Sequence, residues 1–188
     1  MGRSSVLTAD NCADIANRAS VDLVLSRLAK RGTVRRIARG LYLYPKAGPN
    51  AGEAIPPVEK IASAIARAGR MRLQPSGAYA ANLLGLSEQV PMKVVFLTDG
   101  GSRRILVGRR EIIFRRSTPR NMAAAGRLGG LVVQALRYLG PEAVDGMLLR
   151  RLRAAVPQEA RQKVLKDALS APAWIRKVLR DALGGVQV

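Results

Sequence analysis

Apolar residues recur along this chain with two different periods, and the changes between them mark out its elements. Val21, Val24, Leu25 and Leu28 fall at i, i+3, i+4 and i+7, the one-sided stripe of an amphipathic helix. Ser20 stands where a cap belongs, so the spacing predicts a helix from Ser20 to about Arg31. Ahead of it, Thr8 is placed to cap a shorter helix through Ala16, with Asn17-Arg18-Ala19 as the turn between the two. Past Gly32 the pattern shortens to Thr33-Val34-Arg35-Arg36-Ile37, then Ala38-Arg39-Gly40, then Leu41-Tyr42-Leu43-Tyr44. These are two short strands joined at a glycine, the residue that enters the left-handed geometry of a tight turn at least cost. Helix, turn, helix and basic β-hairpin is the order of a winged helix-turn-helix.

The Pro- and Gly-rich run Pro45-Lys46-Ala47-Gly48-Pro49-Asn50-Ala51-Gly52, closed by Pro56-Pro57, reads as a linker. Beyond it Val58, Ile61, Ala62 and Ile65 share one face of a helix over about Val58–Ala68. Met71–Gln74 reads as a short strand, and Ser76 as the cap of a small helix through about Leu84 that Gly85 ends. Lys93–Thr98, Arg103–Val107 and Glu111–Arg116 are expected strands, joined by Asp99-Gly100-Gly101 and Gly108-Arg109. A weaker break follows at Ser117-Thr118-Pro119. The rest is helical: Leu128, Leu131, Val132, Ala135, Leu136 and Leu139 make a long stripe, weakened by Gly126, Gly129 and Gly130. Further helices are expected at about 142–155, 158–169 and 173–183, each preceded by a proline. The expected class is therefore α+β. A winged helix-turn-helix over residues 1–46 precedes a second domain over 56–188, which has an α+β core with antiparallel strands (56–119) and a helical region (120–188).

Charge sharpens this picture. The 188 residues carry 32 Lys and Arg against 13 Asp and Glu, a net charge of +19. The excess is spread: 9 positive against 3 negative side chains in residues 1–46, 11 against 5 in 47–119, and 12 against 5 in 120–188. Such a chain repels itself unless a polyanion or an acidic partner offsets it. Histidine is absent, which removes the commonest general base, the commonest transition-metal ligand and every Ser-His or Cys-His pair. The lone Cys12 excludes an internal disulfide and a cysteine zinc cluster. No apolar run approaches a membrane span, and the N-terminus lacks the apolar core of a signal peptide, so a cytoplasmic location is expected, with no membrane partner.

Catalytic constellations fail one by one. Asp99 and Glu111 have the strand-end placement of a metal-dependent nuclease, but Ile113 stands where such an enzyme needs lysine. Gly101-Ser102 has the look of a nucleotidyltransferase opening, yet no Asp-x-Asp or Asp-x-Glu follows to hold magnesium. No phosphate loop occurs. The chain is expected not to be an enzyme and to need no cofactor or metal. DNA contacts are the better candidate chemistry, because the second helix of a winged helix enters the major groove. On that helix and just around it the candidates are Arg18, Ser20, Asp22, Leu23, Ser26, Arg27, Lys30 and Arg31. In the wing they are Arg35, Arg36 and Arg39, whose guanidinium groups suit phosphates or the minor groove.

The run Leu25-Ser26-Arg27-Leu28-Ala29-Lys30-Arg31-Gly32 through Ala38-Arg39-Gly40-Leu41-Tyr42 resembles the AbiEi-type antitoxins, also called type IV or abortive-infection antitoxins. Pro75-Ser76-Gly77-Ala78-Tyr79-Ala80-Ala81-Asn82-Leu83-Leu84-Gly85-Leu86 and Leu97-Thr98-Asp99-Gly100 look like that family's central domain. The resemblance covers about residues 20–116; the helical tail matches only in general character. It implies a winged helix that represses the protein's own operon at promoter DNA, with inverted repeats as the expected operator. It also implies a later domain that counteracts a nucleotidyltransferase-like toxin encoded alongside. Such antitoxins usually carry a full extra helix before the helix-turn-helix, for which residues 1–16 leave little room. The competing expectation is a basic RNA-binding or ribosome-associated protein, favoured by charge spread over the whole chain.

Overall fold

The computed structural model describes residues 5–12, 14–44 and 55–184. Its elements are β1 (Val6–Leu7), a 3-10 turn (Ala9–Cys12), α1 (Arg18–Lys30), β2 (Arg35–Ala38), β3 (Leu41–Leu43), α2 (Val58–Ala68) and β4 (Leu73–Ser76). There follow α3 (Gly77–Leu83), β5 (Lys93–Thr98), β6 (Arg103–Val107), β7 (Arg110–Arg116), α4 (Pro119–Met122) and α5 (Leu128–Leu139). The chain ends in α6 (Gly146–Ala155), α7 (Arg161–Asp167) and α8 (Ala173–Leu183). The strands form a three-stranded sheet in the order β1-β3-β2 and a four-stranded sheet in the order β4-β5-β7-β6. The class is α+β, as the hydrophobic pattern predicts.

Two compact units divide the chain: Met1–Met71 with Arg104–Ile112, and Arg72–Arg103 with Ile113–Val188. Of the run expected to link two domains, residues 45–52 lie outside the described part, while the closing Pro56-Pro57 leads directly into α2. Helix α2, expected with the later domain, belongs to the first unit.

In the first unit, β3 is the central strand. It pairs antiparallel with β1 at Val6↔Leu43 and Leu7↔Tyr42, and antiparallel with β2 on its other edge. Strand β1 is too short to show a period of two, so the hydrophobic pattern does not reveal it. The expected helix from Thr8 to Ala16 is replaced by a single 3-10 turn. Both the amide and the hydroxyl of Thr8 donate to Asn11 Oδ1 at 2.8 Å, a side-chain closure of the turn in place of a helix cap. Helix α1 also begins earlier than expected. Asn17, in extended geometry (φ −62°, ψ 155°), accepts from the amide of Ser20 at 3.0 Å and is the cap. Ser20 therefore lies inside the first turn.

In the second unit, β4 pairs antiparallel with β5 from Leu73↔Thr98 to Ser76↔Val95. It sits two residues later than the expected 71–74 and contains Pro75, which an edge strand tolerates because one side needs no amide donor. Phe96 lies between Tyr79, edge-on at 5.7 Å, and Phe114, stacked at 5.9 Å. Ser76 occupies the cap position of α3, but its hydroxyl bonds Gln134 Oε1 at 3.2 Å and makes no cap bond. The fully buried Ala80 and Ala81 let α3 lie close against α5, and α6, α7 and α8 close the helical core around Val132, Leu136, Leu152, Ile175 and Leu179.

Candidate nucleic-acid interface

The orientation of α1 follows from what its inner face buries. Val21 and Leu25 join Ala9, Val34 and Tyr42 in one small core, with Leu28 and Ala29 packed beside them. At 100° per residue this turns Ser20, Leu23, Arg27, Lys30 and Arg31 away from that core, and all five are exposed. The helix stops at Gly32 (φ +74°), where the amide of Thr33 reaches back to the carbonyl of Leu28 at 3.0 Å. That closure sets the start of the hairpin. Arg27 and Lys30 fill the last turn, where the helix dipole favours cations.

Val24 departs from the expected stripe. It is 51% exposed, and its neighbour Leu23 is 52% exposed. Val21 and Leu25 are buried in the small core and Leu28 and Ala29 pack beside it, while Val24 is left to solvent. Ile15, just upstream, is 82% exposed. An apolar residue counted into a stripe by spacing alone looks the same in sequence whether a core awaits it or not.

The remaining candidates divide. Arg18 is held by two acids, Asp10 at 3.3 Å and Asp22 at 3.9 Å. Asp22 and Ser26 are half-buried on the flank of α1. In the hairpin, Gly40 has φ +71°, as the turn reading predicts. Arg36 and Arg39 are exposed, and Arg35 is half-buried. Strand β2 lies at the edge of its sheet and shifts register against β3 between Arg36 and Ala38. Residues 18–43 hold seven cations and the single acid Asp22. Ser20, Arg27, Lys30 and Arg31 are thus together on the helix face, with Arg36 and Arg39 exposed on the hairpin. The arrangement offers point charges and guanidinium forks to a row of anions.

The acidic residues with an enzyme-like placement are taken up by arginines. Asp99 accepts from the backbone amide and from Nε of Arg72, both at 2.8 Å. That guanidinium, with the amide, holds its carboxyl below the ordinary value. Glu111 pairs with Arg104 at 3.8 Å. Among the described residues no group of three or more Cys, Asp or Glu is arranged to hold a metal ion. None of their helices is long and apolar enough to cross a membrane.

The sequence pattern gives no sign of a cleft in the second unit, of about 370 Å³, lined by Gln162, Leu165 and Lys166 of α7 and Arg176, Leu179 and Arg180 of α8. Its apolar floor and three cations come from residues far enough apart in sequence that only the packing of two helices unites them.

Residues 1–164 match DUF6088, described as a family of unknown function. The chain belongs to this family. The DUF6088 match takes in α1, the hairpin and the second sheet, and it ends inside α7. No curated protein matches the chain.

Proposed function

We propose that this protein is a winged-helix repressor that binds its own promoter DNA and serves as the antitoxin to a nucleotidyltransferase-like toxin. The observation that carries the DNA half is the outward face of α1, where Ser20, Arg27, Lys30 and Arg31 stand together while Val21 and Leu25 anchor the opposite side. A helix so mounted can lie in a major groove, with the basic β2–β3 hairpin beside it for backbone or minor-groove contacts. The order β1-β3-β2 supports the reading, since it supplies a small sheet behind the helix from the same few residues. The toxin half rests on the family resemblance of residues 75–86 and 97–100. The cleft between α7 and α8 adds a surface whose cations and leucines suit an acidic partner.

The test is a gel shift with the duplex upstream of the gene, an unrelated duplex of equal length, and a structured RNA, across a salt series. Tighter binding to the upstream duplex, with affinity falling linearly on a log scale with salt, is expected. Equal binding to all three sinks this reading and favours a general RNA-binding or ribosome-associated role. For the second half, co-expression with the neighbouring toxin gene is expected to restore growth.

A further inference from the structure

The outward face of α1 is not uniformly charged. Leu23 and Val24, 52% and 51% exposed, stand on either side of Arg27 around the helix, near Ser20, Lys30 and Arg31. A lone exposed leucine is ordinary. Two exposed apolar side chains interleaved with three cations fit a partner that offers anionic and apolar groups side by side. B-form DNA has that profile: phosphates border the major groove, and the thymine 5-methyl is the apolar group among the base edges on its floor. We infer that Leu23 and Val24 read thymine methyl groups, so that the ligand of this face is thymine-bearing duplex DNA. The inference rests on the reading of α1 as a DNA-docking helix and deepens it by naming what the helix discriminates.

Two other occupants fit less well. RNA carries uracil, which lacks the methyl, and the major groove of its A-form helix is too narrow for side chains to read. A second copy of the chain docking by this same face would bring its own Arg27, Lys30 and Arg31 against the same three cations.

The experiment uses the full chain and one duplex sequence, the segment upstream of the gene, prepared with thymine and again with deoxyuridine at every thymine position. Affinities are measured for the wild type, Leu23→Ala and Arg27→Ala. The wild type is expected to prefer the thymine duplex by about fourfold for each methyl it covers. Leu23→Ala, a change at an exposed position, is expected to keep the fold and lose the share of that preference that Leu23 carries, leaving Val24's. Arg27→Ala is expected to weaken both duplexes by the same factor. Equal wild-type affinity for the two duplexes overturns methyl reading and leaves DNA binding standing. An undiminished preference in Leu23→Ala also overturns it, assigning the effect to duplex shape. No binding to either duplex overturns both readings. A concentration-dependent doubling of mass in light scattering, lost in Leu23→Ala, assigns the face to self-association and overturns the inference.

Discussion

Gly40 turns the β2–β3 hairpin at φ +71°, and nothing lies within 4 Å of where its side chain would begin. Space is free there; the backbone conformation is not. A β-branched side chain in left-handed geometry costs about 1–2 kcal/mol, so Gly40→Val is expected to lower the melting temperature and to shift Arg36 and Arg39. Arg39→Ala removes one exposed charge and leaves the turn alone. The expected order of DNA affinity is wild type, Arg39→Ala, Gly40→Val, and a Gly40→Val protein that binds like the wild type would remove the hairpin from the interface. Asp99 makes a different kind of prediction. Its carboxyl sits below the ordinary value of 3.8 because Arg72 donates to it from side chain and backbone. The folded state therefore releases that proton more readily than the unfolded one. Its contribution to stability is full above the unfolded value and is lost as pH falls through the folded value. Urea unfolding is expected to show a stability gap between wild type and Asp99→Asn at neutral pH that closes in acid. A gap of constant size would mean that the charge of Asp99 is not what Arg72 reads.

The helices show how an element can override its own propensities. In an isolated helix, replacing glycine with alanine gains about 1 kcal/mol, and the glycines at 129 and 130 look like weaknesses of α5. A Cβ on Gly130 would run into the carbonyl of Ala124 and would come within 2.5 Å of Gln74 Oε1, which accepts from the amide of Gly126 at 3.1 Å. One on Gly129 would meet Asp167, whose carboxylate pairs with Arg127 at 3.0 Å. Gly130→Ala is therefore expected to destabilise the protein by about 1–3 kcal/mol through overpacking, measured as a lower urea midpoint with unchanged slope. A stabilised variant would show that the segment around Ala124 yields easily. Helix α1 supports the opposite kind of change. Arg27 and Lys30 face away from its core, so the double alanine variant is expected to melt like the wild type. Its affinity for promoter DNA should fall, with the salt slope shallower by up to about 2. An unchanged slope would place neither side chain at a phosphate.

The whole chain is divided differently from its linker pattern. The first unit is discontinuous: residues 104–112 join Met1–Met71, and α2 packs on β1. Deleting residues 1–46 removes β1 along with α1 and the hairpin, and so uncovers the face of α2 formed by Val58, Ile61, Ala62 and Ile65. The truncated chain is expected to lose promoter binding and to keep the helical signal of the second unit, whose core from Ala80 to Leu183 lies wholly downstream. It is also expected to bind a hydrophobic dye that the full chain does not bind. A truncated chain that stays dye-free would show that α2 needs no partner from residues 1–46.

Helices and strands with strict periods are legible from residue types alone. The α2 range Val58–Ala68 and the strands Lys93–Thr98 and Arg103–Val107 match the residues expected from the sequence end for end, because each is an apolar run bounded by clear turn or helix signals. The cations of α1 and the positive φ of Gly40 are local matters too, set by a helix stripe and a turn. Elements defined by a distant partner are hidden. The two-residue β1 exists only as a neighbour of β3, and the helix expected at Thr8 yields to a side-chain bond with Asn11 and the cap at Asn17. The exposure of Val24 depends on whether another part of the chain packs against its flank of α1. Periodicity states which residues share a face. The size of the surface that receives them, a sum over contacts remote in sequence, determines which of those residues water still reaches.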